Sequence, residues 1–208
     1  MSAVIPASSE AAEYPLRQIL ISCVRLGVLE SIAVLLIGVA SRRFDGPAET
    51  AILGVLLAIS LLAVSFLPGL WMDSRDFEGV ARAAAIGLGA AVVFLVVDVA
   101  LFQPFGLYTH RWLDIGGGSN WWYHPVWWMV GTYLPWMGAQ ILASQARAGA
   151  VSIAKGMATA LVLTLVCWVL AVLVHFPGAG WNLGSFGVAF LPGVTLTAVL
   201  GAVSGRRS

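Results

Sequence analysis

TAILGVLLAISLLAVSFLPGLW, residues 50–71, carries no charged side chain from end to end. Coiled as an α-helix rising about 1.5 Å per residue, it reaches roughly 33 Å, close to the hydrocarbon thickness of a bilayer. A helix apolar on every face has no side to turn to water. The stretch therefore predicts a membrane-spanning helix, and the rest of the chain is read against it.

Apolar stretches of similar length recur at 18–40, 80–103, 125–145, 153–174 and 184–204. Breakers separate them: SRRFDGPAE at 41–49, MDSRDFEG at 72–79, the 104–124 loop, ARAGAVS at 146–152 and HFPGAGWN at 175–182. The runs are continuous rather than alternating, which argues against a barrel. The expected fold class is all-α, a polytopic membrane protein built as a six-helix transmembrane bundle. Residues 1–17 are expected to form a short cytoplasmic segment, 18–204 the six-span domain and 205–208 a cytoplasmic tail.

Composition agrees. Of 208 residues, 60% are hydrophobic and 10% charged, with a mean hydropathy of +0.91. Soluble domains carry about 25% charged residues. A net charge of +1 without a clustered basic surface excludes a nucleic-acid partner. The N-terminus lacks a basic n-region and carries Glu10 and Glu13, so it reads as retained rather than as a signal peptide. Cys23 and Cys167 lie inside apolar runs and read as small core hydrophobes.

Loop charges orient the bundle. Arg17, Arg75, Arg82, Arg147, Lys155, Arg206 and Arg207 fall on one side; Arg42, Arg43 and Arg111 fall on the other. The positive-inside rule then predicts a multi-pass protein of the plasma (inner) membrane with both termini in the cytoplasm. The 104–124 and 175–184 loops face the non-cytoplasmic side.

That side receives the aromatic residues. GGGSNWWYHPVWW, 116–128, brings Trp121, Trp122, Tyr123, Trp127 and Trp128 together, with Trp112 before it and Trp181 on the other outer loop. Indoles favour the headgroup level, which makes an interfacial belt the plain reading. Apart from Trp71 the opposite boundary has no matching tryptophan. A one-sided shelf of Trp121, Trp122, Tyr123, Trp127, Trp128 and Trp181 would suit a flat lipid-soluble cofactor of quinone, carotenoid or porphyrin type, or a partner subunit. Pro125 fits the first turn of the fourth helix, approached through Gly116, Gly117 and Gly118.

Ionisable side chains within the hydrocarbon are costly and become functional candidates. Arg25, Glu30 and Asp98 are such a set, expected to form a buried charge network. Arg25 and Glu30 stand five apart, off a common α-helical face, so each seeks a partner on another helix. Glu30 lies about 18 Å, and Asp98 about 25 Å, from the inner start of its helix, levels at which the carboxylates could meet. The plain reading is a structural salt bridge or hydrogen bond. His110, His124 and His175, the three histidines of the chain, all fall at the outer side. With Asp98 they supply donors suited to a transition metal, although no HxH, HxxxH or HExxH spacing holds them together. Water or lipid headgroups are their simpler partners.

Gly193, Thr197, Gly201 and Gly205 recur every four residues on the sixth helix, and Ala85, Gly87, Gly89 and Ala91 give the third a similar strip. Such strips permit close helix approach in lipid. Pro135 and Pro192 should bend their helices and free carbonyls, with Thr132, Gln140 and Thr195 nearby to receive them. No GxSxG elbow, phosphate loop or inverted repeat is present. The leading functional expectation is a small integral subunit of a larger membrane assembly, surrounded by lipids and by other membrane subunits. Behind it stand a membrane enzyme with an outer-leaflet metal site acting on an apolar substrate, and a proton- or ion-coupled carrier using Glu30 and Asp98.

Overall fold

A computed structural model of the chain describes residues 9–72, 75–108 and 123–204. All regular structure among them is helical. The elements are α1 (Ser9–Arg43), α2 (Gly46–Trp71), α3 (Phe77–Val97, running on through a π-helical turn at Asp98–Phe102), α4 (Tyr123–Arg147), α5 (Ile153–Leu173) and α6 (Leu183–Ser204). Five of them, all but α4, are both long and apolar enough to cross a membrane. The exception is long enough, but its tryptophans, tyrosines and glutamine make it less apolar. Trp112, Trp121, Trp122, His110, Asp114, Gly116, Gly117, Gly118 and Gly205 lie outside the described residues.

Local sequence explains the helix ends. Asp76 caps α3 by accepting from the Gly79 N–H at 2.9 Å, and Ser152 caps α5 by accepting from that of Lys155 at 3.3 Å. Pro47 sits in the first turn of α2, where its missing N–H is no loss. Three C-termini close alike, with one amide donating back five residues and its predecessor three: Leu107 to Phe102 with Gly106 to Gln103, Ala150 to Gln145 with Gly149 to Ala146, and Phe176 to Ala171 with His175 to Val172. That pairing is the Schellman motif, whose penultimate residue takes a left-handed conformation. Gly106 and Gly149 supply it freely; His175 adopts it with a φ of 54°.

The helices pack where side chains are smallest. Ala91 and Gly87 of α3 meet Gly131 of α4, and Gly138 of α4 lies on the backbone of Ser65 in α2. Towards α1, Gly89 abuts Cys23, while Gly27 faces Ala90 and Val93. On α6, Gly193 sits on the backbone of Thr164 in α5, and Gly201 faces Ser144 of α4. The strips on α3 and α6 thus close the bundle from within, except at Ala85, which is exposed. Matching levels show α4 antiparallel to α3, parallel to α2 and parallel to α6. Helix α4 packs chiefly against α3, α2 and α6.

Pro68, Pro135 and Pro192 lie inside helices. The carbonyl of Gly131, four residues before Pro135, is directed at Gly87. Two of the polar residues expected to receive freed carbonyls bond otherwise: Thr132 and Thr195 donate to carbonyls of their own helices, Trp128 and Leu191. A Cβ on Gly138 would fall 2.5 Å from the Ser65 carbonyl carbon, whereas one on Gly187 would meet nothing nearer than Leu57 at 3.8 Å. Gly138→Ala is therefore expected to lose about 3 kcal/mol, and Gly187→Ala to stay within about 0.5 kcal/mol of the parent, in reversible detergent unfolding.

Candidate functional site

The aromatic residues expected on one shelf go to different places. Trp127 turns inward, its ring stacked on Phe94 with centroids 4.6 Å apart, against the cluster of Val34, Leu95, Phe102 and Leu107. Trp128 turns outward and is 44% exposed. Trp181 lies beyond the start of α6 and packs edge-on against Trp168 at 5.4 Å. Tyr123 opens α4.

Trp128 instead belongs to a groove that runs down α4. Its walls are Trp128, Met129, Thr132, Tyr133 and Trp136 of α4, with Leu88 of α3 and Leu191 of α6. It encloses about 610 Å³, within the range of small-molecule sites. Trp136 is also 44% exposed and stands 13 residues into α4, about 20 Å from Tyr123 along the axis. The groove's hydroxyls are occupied: that of Thr132 donates to the Trp128 carbonyl at 2.7 Å, and that of Tyr133 bonds Thr195. What remains is an apolar, aromatic trough. Sequence reasoning missed Tyr133 and Trp136, although their eight-residue span with Trp128 marks one helical face.

The three ionisable residues of the expected network differ in their surroundings. Arg25 lies on an exposed face of α1. Asp98 is fully buried, with Gln103 donating to Oδ2 at 2.7 Å and Tyr108 donating to Oδ1. The π-helical turn explains the first bond, because Gln103 N–H reaches back five residues to the Asp98 carbonyl and brings both side chains to one face. Glu30 is 7% exposed, and its Oε2 has no hydrogen-bond partner among the described residues. Helices α1 and α3 adjoin, yet among the described residues no hydrogen bond or ion pair joins the two carboxylates to each other or to Arg25.

The histidines divide likewise. His124 is half-buried in the first turn of α4, and His175 is exposed at the end of α5, where its backbone completes the cap. No three His, Cys, Asp or Glu side chains gather in a metal-binding arrangement among the described residues. His110 is outside them.

One carboxylate escaped sequence reasoning altogether. Glu49, in the first turn of α2, is buried and lines a second cleft between α1, α2 and α6. Its position at a helix start made it resemble an ordinary exposed end-of-helix acid. Comparison of the chain with known protein families, with characterised proteins and with solved structures finds no match.

Two outcomes follow for these side chains. Tyr108→Phe, which leaves Asp98 Oδ1 without its donor, is expected to lose about 2 kcal/mol of stability, with a double-mutant cycle to Asp98→Asn showing coupling of about 1 kcal/mol. His175→Gly is expected to gain about 1 kcal/mol by relieving the left-handed backbone, read as a higher unfolding midpoint.

Proposed function

We propose that this chain is a small membrane-embedded subunit holding a flat, lipid-soluble molecule in the α4 groove. The observation that carries the reading is Trp136. An interfacial belt accounts for indoles near headgroup level, but not for one exposed about 20 Å down a helix. There an indole gains by stacking on a planar partner rather than by meeting water. Because the groove's hydroxyls are already engaged within the fold, its complement is an apolar polyene or the body of a quinone. A charged porphyrin fits less well.

In this reading all six helices cross the bilayer and both termini face the cytoplasm, as the distribution of Arg and Lys favours. Trp128 then enters the groove from the non-cytoplasmic leaflet, with Trp136 towards its middle. Exposed aliphatic faces such as Val24, Val28 and Leu35 of α1, or Val162 and Leu165 of α5, are left for lipid or neighbouring subunits.

Purification from native membranes with an absorbance spectrum and solvent extraction tests the proposal. A stoichiometric conjugated lipid is expected, with its occupancy cut about tenfold in Trp128→Ala/Trp136→Ala. A pure protein that carries none, and whose intrinsic tryptophan emission ignores added quinones and polyenes, defeats it.

A second reading, a proton- or ion-coupled carrier, draws on Glu30, whose buried Oε2 has no hydrogen-bond partner among the described residues. Ion flux into proteoliposomes unchanged by Glu30→Gln ends that reading. If the carboxylate serves no such purpose, Glu30→Met is expected to raise stability by about 1 kcal/mol or more, since it removes an unsatisfied buried group.

A further inference from the structure

Arg25 stands where a charge is hardest to keep. Nine residues separate it from Leu16, the first of the apolar span Leu16–Arg43, a rise of roughly 14 Å. Neighbouring α3 puts it deeper still, since Cys23 meets Gly89, and Gly27 meets Ala90 and Val93. Arg25 is therefore level with about residue 90 of α3, roughly 20 Å from Phe77 at one end and about 18 Å from Phe102 at the other.

The fold does nothing to hold this side chain. Arg25 lies on the exposed face of α1, and among the described residues no hydrogen bond or ion pair engages its guanidinium. Its neighbours along that face, Ile21, Val28, Leu29 and Ile32, are all exposed and all aliphatic. They stand three, four or seven residues away, the spacing of one helical stripe.

A charge in lipid lowers its cost by rising to the headgroups, by turning into its own bundle or by pairing with something outside. Six bonds of about 1.5 Å link the Cα to the guanidinium nitrogens, about 9 Å at full stretch, which falls short of Leu16 and of both ends of α3. The bundle side of α1 is closed, because Leu26 and Gly27, next in the chain, are buried against α3. A second copy of the chain in the same orientation offers no carboxylate among the described residues. Its acids nearest that depth, Glu30 and Asp98, are buried, while the exposed Asp45, Asp76 and Glu78 lie at helix ends.

What remains is a different protein in the membrane whose charge answers that of Arg25. A guanidinium presents its N–H donors in a planar fork, and the matched complement is a carboxylate that accepts two of them side by side. The aliphatic stripe around Arg25 suits the flank of a helix. A spanning helix satisfies its own backbone and meets neighbours through side chains alone.

We propose that the Arg25 face of α1 docks a membrane-spanning helix of another protein, one that carries an Asp or Glu near mid-bilayer and pairs it with Arg25. This rests on the membrane-subunit reading, though not on what the α4 groove holds.

The test is energy transfer, in phosphatidylcholine vesicles, between the labelled full chain and a synthetic helix of about 20 leucines and alanines with Asp, Asn or Leu at its centre. The Asp peptide is expected to associate saturably, about tenfold more tightly than the Leu peptide, with the Asn peptide between them. Arg25→Leu and Arg25→Gln should each reduce Asp-peptide binding to that of the Leu peptide. Both keep the fold, since Arg25 is exposed and bonds nothing among the described residues. Arg25→Lys, which retains the charge but not the planar fork, should fall between. Trp128→Ala/Trp136→Ala should bind the Asp peptide as the parent does, so that loss of the groove and loss of the α1 face read separately. Equal binding of the Asp and Leu peptides, or Arg25→Leu binding within about twofold of the parent, overturns the proposal. Self-association of the chain that Arg25→Leu abolishes also overturns it, by giving the face to a second copy. Loss of Asp-peptide binding when phosphatidylglycerol is added does the same, by giving Arg25 to an anionic lipid head. A chain that alkaline carbonate strips from the vesicles defeats the membrane reading, and this proposal with it.

Discussion

Backbone contact between α4 and its neighbours governs the arrangement of everything else. In lipid, apolar side chains gain nothing by leaving one hydrocarbon for another, so helices are held by how closely their backbones approach. Here Gly131 and Gly138, seven residues apart on one stripe of α4, bring it onto Gly87 and Ala91 of α3 and onto Ser65 of α2. Neither position tolerates a Cβ without moving a backbone. That stripe must stay bare where the backbones meet, and a set of bulky residues of α4 turns to its other side. Trp128, Met129, Tyr133 and Trp136 line the groove for the same geometric reason that the glycines make the contact.

This division was only half visible in the sequence. The uncharged run at 50–71, and its repetition between breakers, led directly to helical spans whose limits differ from the described helices by few residues outside α1. Hydrophobic length is a local property, and it is legible because the bilayer imposes it on each segment separately. The small-residue strips of α3 and α6 were legible too, as four-residue repeats, although not which helix each would meet. The partition of tryptophans was hidden. Trp127 and Trp128 are adjacent in sequence, but successive residues on a helix point about 100° apart, so one packs on Phe94 while the other faces outward. Grouping them by depth alone ignored their direction.

Asp98 shows a second way in which spacing misleads. Residues five apart do not share an α-helical face, an argument that separates Arg25 from Glu30 and would exclude Gln103 as a partner of Asp98. The π-helical turn at Asp98–Phe102 inserts the extra residue that makes five apart adjacent. No residue type in DVALF announces it. The turn is stabilised after the fact, by the Gln103 and Tyr108 donors that a buried carboxylate needs. His175 was obscured for a related reason: counted as a side chain, it suggested a ligand, while its backbone was closing α5.

The buried carboxylates can be ordered by what each is given. Asp98 receives two donors from its own helix and the loop after it, which suffices for a structural role at the α1–α3–α4 junction. Glu49 is engaged within the fold and lines a cleft with Trp181. Glu30 receives no donor at Oε2, although Ser31 beside it spends its hydroxyl on the Gly27 carbonyl at 2.8 Å. A neighbouring hydroxyl that serves its own helix leaves the carboxyl group unsatisfied in the middle of the bundle. Fully paired polar groups hold a fold together, while unpaired ones cost it stability. By that criterion Asp98 belongs to the architecture, and the place to look for chemistry is Glu30.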